Sequence, residues 1–152
     1  MKIVFVCTGN TCRSPMAQTI AESLALKHNL EVEVSSAGVS VFSETGASAN
    51  AVDAMASLGL DLSGHISKQI TLEHIKDSNL VLTMTRQHKN FLLDRLDDTY
   101  LEKIYTLAEY VSLPEKDISD PFGQPLDDYK KCANEIHQLL DIIFDNLIVE
   151  RI

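Results

Sequence analysis

Residues 3–15 read Ile3-Val4-Phe5-Val6-Cys7-Thr8-Gly9-Asn10-Thr11-Cys12-Arg13-Ser14-Pro15. A short run of Ile, Val and Phe with no polar break is the pattern of a strand buried on both faces, as in a parallel sheet. Ser14 followed by Pro15 predicts a helix start, with serine as N-cap and proline at the first helical position. The residues between form a tight strand-to-helix loop at the carboxyl end of a strand, the place where open α/β sheets bind ligands.

The loop has the makings of an anion site. Backbone N–H groups of a short glycine-containing loop at a helix N-terminus form a cradle for an oxyanion. Arg13 adds a planar fork of donors that matches phosphate oxygens. Cys7 stands at the mouth of the same field, which predicts a thiolate with lowered pKa and hence a nucleophile. On spacing alone the pair fits equally well a small buried hydrophobe and a solvated cap. The preceding strand and the Gly9-Asn10 pair, which tolerates left-handed backbone, favour the site. No Gly-Lys-Ser/Thr follows the glycine, so this is not an ATP-type phosphate loop.

With 152 residues, the chain has the length of one domain with a single core. Its formal charge of −9 argues against a general nucleic-acid or anionic-membrane partner. The apolar run at the start is too short for a signal peptide, and no stretch approaches membrane-spanning length. Cys7, Cys12 and Cys132 do not make a disulfide framework, and a cytoplasmic protein is expected. His28, His74 and His88 show no metal-ligand spacing, so neither metal nor cofactor is implied.

Strands are expected at 2–6, at 31–35 ending in Ser36-Ala37-Gly38, at 78–84 and at 104–105. Helices are expected at about 14–28, 48–58 (stopped by Gly59), 71–76, 86–95 and 127–149. Alternation of the two implies a parallel sheet with crossover helices. The last helix lines one face with Ala133, Ile136, Leu140, Ile143, Phe144 and Leu147; Cys132 and His137 on it read as structural. Val111 to Asp127 carries three of the four prolines and reads as a long loop, of the kind that is usually functional. It holds Asp120-Pro121, where proline fixes the direction of a carboxyl group that would serve as an acid. By itself, Asp120 fits an ordinary turn as well.

The segment Phe5-Val-Cys7-Thr-Gly-Asn-Thr-Cys-Arg13-Ser-Pro resembles the signature of the low-molecular-weight protein tyrosine phosphatases. Matches continue in order through Ser35-Ser36-Ala37-Gly38, His65-Ile66-Ser67-Lys68-Gln69, Met84 to Lys89 and Asp120-Pro121-Phe122-Gly123. The resemblance spans the chain, residues 1–152, as one phosphatase domain with a four-stranded parallel sheet and helices on both faces. It implies Cys7 as nucleophile, passing through a phosphocysteine intermediate, Arg13 as phosphate clamp, and Asp120 as general acid and then general base. Thr8, Gly9, Asn10, Thr11, Cys12 and Ser14 would line the phosphate loop, with Ser14 hydrogen-bonding the thiolate. Asn10 would hold the loop in a strained form, buttressed by Ser36 and His65. Phe42 and Phe122 fall where the family places pocket-flanking side chains, although an exposed Phe is otherwise unremarkable. Cys12 would capture an oxidised Cys7 as a disulfide; the alternative is that Cys12 only packs against the sheet.

Thr11 bears on the substrate. Within Cys-Thr-Gly-Asn-Thr-Cys-Arg it resembles the bacterial protein arginine phosphatase branch, whereas phosphotyrosine-directed members usually carry a larger aliphatic residue. The expected partners are phosphorylated protein substrates, with phosphate or another oxyanion in the site, and phosphoarginine is favoured over phosphotyrosine. Arsenate reductases share the loop but need further cysteines near the third strand, where this chain has Leu82 and Lys89. A non-catalytic phosphate-binding module would not need Cys7, Arg13 and Asp120 together.

Overall fold

In a computed structural model, the structure describes residues 1–113 and 116–151, Arg151 by its backbone alone. Pro114, in the proline-rich segment, lies outside the described residues. The strands are β1 (Lys2–Cys7), β2 (Glu33–Gly38), β3 (Leu80–Thr83) and β4 (Ile104–Thr106). The helices are α1 (Arg13–Lys27), α2 (Ala49–Ala56), α3 (Leu72–Asp77), α4 (Arg86–Leu93) and α5 (Leu126–Arg151). Two 3-10 turns, Asp98–Lys103 and Glu109–Val111, flank β4 and were not anticipated from sequence.

All pairings in the four-stranded sheet are parallel, in the order β2-β1-β3-β4. The chain leaves β1 for β2 on one side and returns to β3 on the other. That reversal opens a crevice beyond the carboxyl end of β1, which is where Cys7 stands. β2 begins at Glu33 rather than Glu31 and runs to Gly38, as expected, where its ladder with β1 closes on the Cys7–Gly38 pair.

Successive residues of β1 supply cores on opposite faces, which is why the run has no polar member. Ile3, Phe5 and Cys7 join Met16, Ile20, Leu82, Ile136, Leu140 and Phe144 in one core, under α1, α2 and α5. Val4 and Val6 join Ile75, Val81, Leu92 and Ile104 in the other, under α3 and α4. Helices therefore cover both faces. On α5, Ala133, Ile136, Leu140, Ile143 and Phe144 are buried as the periodicity predicts. His137 is partly exposed at the edge of this face, its Nδ1 3.0 Å from Asp141 Oδ2 one turn on. Among the described residues no helix is long and apolar enough to cross a membrane.

Candidate active site

The strand-to-helix loop folds differently at its end from the local expectation. α1 begins at Arg13, with Cys12 as N-cap and no side-chain capping bond. Ser14 and Pro15 thus sit inside the first turn, where the proline's missing N–H leaves no helical bond unmade. The Ser14 hydroxyl is free for the site: it lies 2.8 Å from Cys7 Sγ and accepts from Asn10 Nδ2 at 2.8 Å.

Asn10 has φ 56, the left-handed region that asparagine tolerates better than most residues. Such a conformation persists only where neighbours fix it. Here Asn10 Nδ2 also donates to Ser36 Oγ (3.0 Å), Asn10 Oδ1 accepts from Lys68 N (3.0 Å), and His65 Nε2 donates to the Asn10 carbonyl (2.8 Å). Burial lowers the His65 pKa against the opposing pull of its bond to the Asn10 carbonyl, with the Lys68 charge acting on the side of burial. Gly38 permits the close approach of the loop to β2. A Cβ there would stand 2.5 Å from the Thr8 carbonyl oxygen and 3.0 Å from Asn10 N.

A cavity of about 210 Å³ is lined by Cys7, Thr8, Gly9, Thr11, Cys12, Arg13, Asp120 and Phe122. Residues more than a hundred positions apart thus converge on the crevice beyond β1. A larger hollow of about 480 Å³ between α2 and α5 is lined by no cysteine. Arg13 is buried. One of its terminal nitrogens donates to the Ile118 carbonyl (2.9 Å), and the other lies 3.5 Å from Asp120 Oδ2. Asp120 Oδ1 accepts from Phe122 N (3.1 Å), a local turn that fixes the carboxylate. The loop that carries the carboxylate is anchored by Ile118 N donating to the Met84 carbonyl.

The field on Cys7 is divided. Burial pushes its thiol up, while the Ser14 side chain, backbone donors of the loop and the Arg13 charge pull it down. The net direction is upward, which corrects the lowered value expected from the cradle alone. Sequence shows the donors but not that Cys7 is only 3 % exposed, a burial that disfavours its charged form. Cys12 Sγ lies 3.4 Å from Ser48 Oγ and 3.5 Å from Tyr129 Oη. Cys7, Cys12 and Cys132 are all free thiols. Cys132 donates to the Ser119 carbonyl at 3.7 Å, and burial pushes its thiol up to about 12, an inert state.

The aromatic pair divides. Phe122 lines the cavity, whereas Phe42 is 97 % exposed and outside its lining. One residue that sequence reasoning passed over is His88: its Nε2 stands 2.8 Å from Thr8 Oγ1. It lies in the Met84–Lys89 match, but only the fold brings it to the loop. No group of three or more His, Cys, Asp or Glu among the described residues is placed to hold a metal ion.

Fold and loop together define a phosphatase of the cysteine-dependent kind, and comparison with known proteins agrees: the chain belongs to the low molecular weight phosphotyrosine protein phosphatase family, whose model matches residues 2–151. It is similar to a protein-arginine-phosphatase of Bacillus subtilis, 42% identical over 140 residues, covering 92% of each chain. It is also similar to the low molecular weight protein-tyrosine-phosphatase PtpB of Staphylococcus haemolyticus, 36% identical, covering 92% of this chain and 95% of that one. Among solved structures, a C-to-S mutant of the YwlE arginine phosphatase with a phosphorylated active-site serine superposes with a TM-score of 0.91. That pair is 40% identical, over 97% of this chain and 95% of the other.

Proposed function

We propose that the chain, as one domain over residues 1–152, removes phosphate from phosphoarginine side chains of proteins, with Cys7 as nucleophile. The observation that carries the substrate reading is Thr11, a short hydroxyl-bearing residue in the cavity wall beside Cys7. A phosphoguanidino group is polar, planar and bent away from the pocket axis. A bulky aliphatic side chain at that point would collide with it, and a threonine leaves room. The similarity to a curated arginine phosphatase at 42% identity, against 36% for a tyrosine phosphatase, supports the same reading.

The steps follow from the geometry. The Cys7 thiolate attacks phosphorus as the P–N bond to the guanidine breaks, and Asp120 delivers its proton to the departing nitrogen. In the free site Asp120 is 3.5 Å from Arg13. A phosphoryl dianion entering the cradle takes over the Arg13 fork, accepts the proton of the Cys7 thiol and leaves the carboxyl group of Asp120 facing the departing nitrogen. The product is S-phosphocysteine. Asp120, now a carboxylate, takes a proton from water as the water attacks phosphorus, and the S–P bond breaks. Ser14, 2.8 Å from Cys7 Sγ, stabilises the thiolate that leaves. Asn10, Ser36 and His65 hold the loop, whose N–H groups and Thr8, Gly9, Thr11 and Cys12 surround the phosphoryl group. Phe122 flanks the mouth, and Phe42, on the exposed loop before α2, would meet the substrate only at its periphery.

Cys12 serves the same reading as a resolving thiol for an oxidised Cys7, and the cytoplasm, where thiols stay reduced, is the compartment that suits both. Phosphotyrosine is the second substrate reading, favoured by the family description itself. Hydrolysis of phosphoarginine and phosphotyrosine peptides by one preparation tests the choice. Faster turnover of phosphotyrosine would reverse it.

A further inference from the structure

His88 is not part of the phosphate loop, yet it is buried against it. Its two ring nitrogens have short polar neighbours on opposite sides: Thr8 Oγ1 at 2.8 Å from Nε2, and Thr85 Oγ1 at 3.0 Å from Nδ1. Thr85 is the N-cap of α4, and its Oγ1 already accepts from His88 backbone N–H at 3.2 Å.

Donor and acceptor accounting allows the chain two directions, each of which leaves one threonine hydroxyl hydrogen without a protein acceptor, and only one of which leaves it on Thr8. A hydroxyl has one hydrogen to give, and a neutral imidazole has one donor and one acceptor nitrogen. If Nδ1 carried the hydrogen, Thr85 Oγ1 would accept twice, and its own hydrogen would have no acceptor among the described residues. If Thr85 O–H donates to Nδ1, Nε2–H donates to Thr8 Oγ1, and it is the Thr8 hydrogen that has no protein acceptor. The Thr8 hydroxyl hydrogen is then released from His88, and Thr8 lines the cavity beside Cys7. Burial, together with the nearby Arg13 charge, holds His88 neutral down to about 4, against the opposing pull of Asp120 and Asp117.

We propose that His88 is a positioning residue: with Thr85 behind it, it holds the Thr8 side chain in one rotamer and turns the Thr8 hydroxyl into the cavity as a further donor to a bound oxyanion. This rests on the phosphatase reading for its consequence in turnover, but not for its consequence in anion binding. The phosphate loop is thereby braced from two sides, by His65 at Asn10 and by His88 at Thr8. The second brace reaches a side chain at the surface, where the substrate enters.

Two amide replacements separate positioning from a structural role. His88→Gln places an amide nitrogen near the position of Nε2 and keeps the contact to Thr8. His88→Asn places one near Nδ1 and keeps the contact to Thr85. Binding of inorganic phosphate and kcat/KM on p-nitrophenyl phosphate are measured for both, for Thr8→Val and for Thr8→Val/His88→Asn. Thr8→Val and His88→Asn are expected to weaken phosphate binding and kcat/KM about tenfold, the size of one lost hydrogen bond to an ion. His88→Gln should stay within about threefold of the parent, and the double variant should be no worse than Thr8→Val, since both changes break one interaction. Full rescue by Asn rather than Gln, additive losses in the double variant, or unaltered phosphate binding by Thr8→Val overturns the proposal. Should either His88 variant fail to fold, nitrogen NMR of the His88 ring in the parent decides: hydrogen on Nε2 is required, and hydrogen on Nδ1 overturns it. Turnover of p-nitrophenyl phosphate by the parent tests the phosphatase reading separately.

Discussion

Arg13 and Asp120 face each other across the candidate active site, a guanidinium nitrogen 3.5 Å from a carboxylate oxygen. The same guanidinium donates from its other terminal nitrogen to the Ile118 carbonyl at 2.9 Å. One buried side chain thus ties the phosphate loop at the carboxyl end of β1 to the acid loop before α5. In the proposed reaction it holds phosphate clamp and proton donor in register.

Asp120→Asn should slow hydrolysis of substrates with poor leaving groups far more than of those with good ones, because only the former need a proton as the bond breaks. Measured over a series of aryl phosphates, the variant should show a steep dependence on leaving-group pKa where the parent shows a shallow one. Equal losses along the series would limit Asp120 to positioning. Arg13→Lys should recover little of what Arg13→Ala loses, since an ammonium cannot reproduce the planar fork of the guanidinium.

Gly38→Ala should damage the site through the backbone. Its Cβ would press on the Thr8 carbonyl, 2.5 Å away, and on Asn10 N. Overpacking of this kind costs about 1–3 kcal/mol, read as a lower denaturation midpoint. Phosphate binding should weaken as well, since the obstruction falls on the loop. A variant that loses stability and binds phosphate normally would contradict the link between β2 and the cradle.

Ser14→Ala should shift the pH dependence of Cys7 alkylation. The Cys7 thiol is already raised by burial, with the Ser14 hydroxyl the largest influence pulling it down. Removing that donor raises it further. A thiol reacts as its thiolate, so alkylation by iodoacetamide rises with pH, and the variant's curve should lie to the alkaline side of the parent's. Coincident curves would remove Ser14 from the thiolate's environment.

These particulars show what was legible in the sequence. β1 announced itself because both its faces are buried, and α5 because its apolar period is unbroken. The proline alone leaves Asp120 an ordinary turn residue; the resemblance singles it out, and the fold sets it beside Arg13, as it sets Asn10 against Ser36 and His65. Ser14 was misplaced as a helix cap because local rules cannot see that Cys7 and Asn10 take its hydroxyl. His88 was passed over for want of metal-ligand spacing, since its partner Thr8 is 80 residues away. The rise of the Cys7 thiol was missed for a related reason: burial is a property of the packed chain, while the donors that oppose it are written in the loop.

Cys12→Ser should turn reversible inactivation by peroxide into irreversible loss. A sulfenic acid on Cys7 is captured by a neighbouring thiol as a disulfide, and without that thiol it proceeds to sulfinic acid. Thiol reductant should restore the parent and not the variant. Equal recovery of both would leave Cys12 with its packing against Ser48 and Tyr129 only.

The central claim is that Cys7 and Thr11 make this a phosphoarginine phosphatase, and the most direct test is a ratio. The specificity constants for a phosphoarginine peptide and its phosphotyrosine counterpart are measured side by side in the parent and in Thr11→Ile, with Cys7→Ser as the blank. The parent should prefer phosphoarginine, and Thr11→Ile should move the ratio toward phosphotyrosine by about 10- to 200-fold, the range one pocket group delivers. Cys7→Ser should turn over neither. A parent that prefers phosphotyrosine, or a ratio unmoved by Thr11→Ile, would contradict the account.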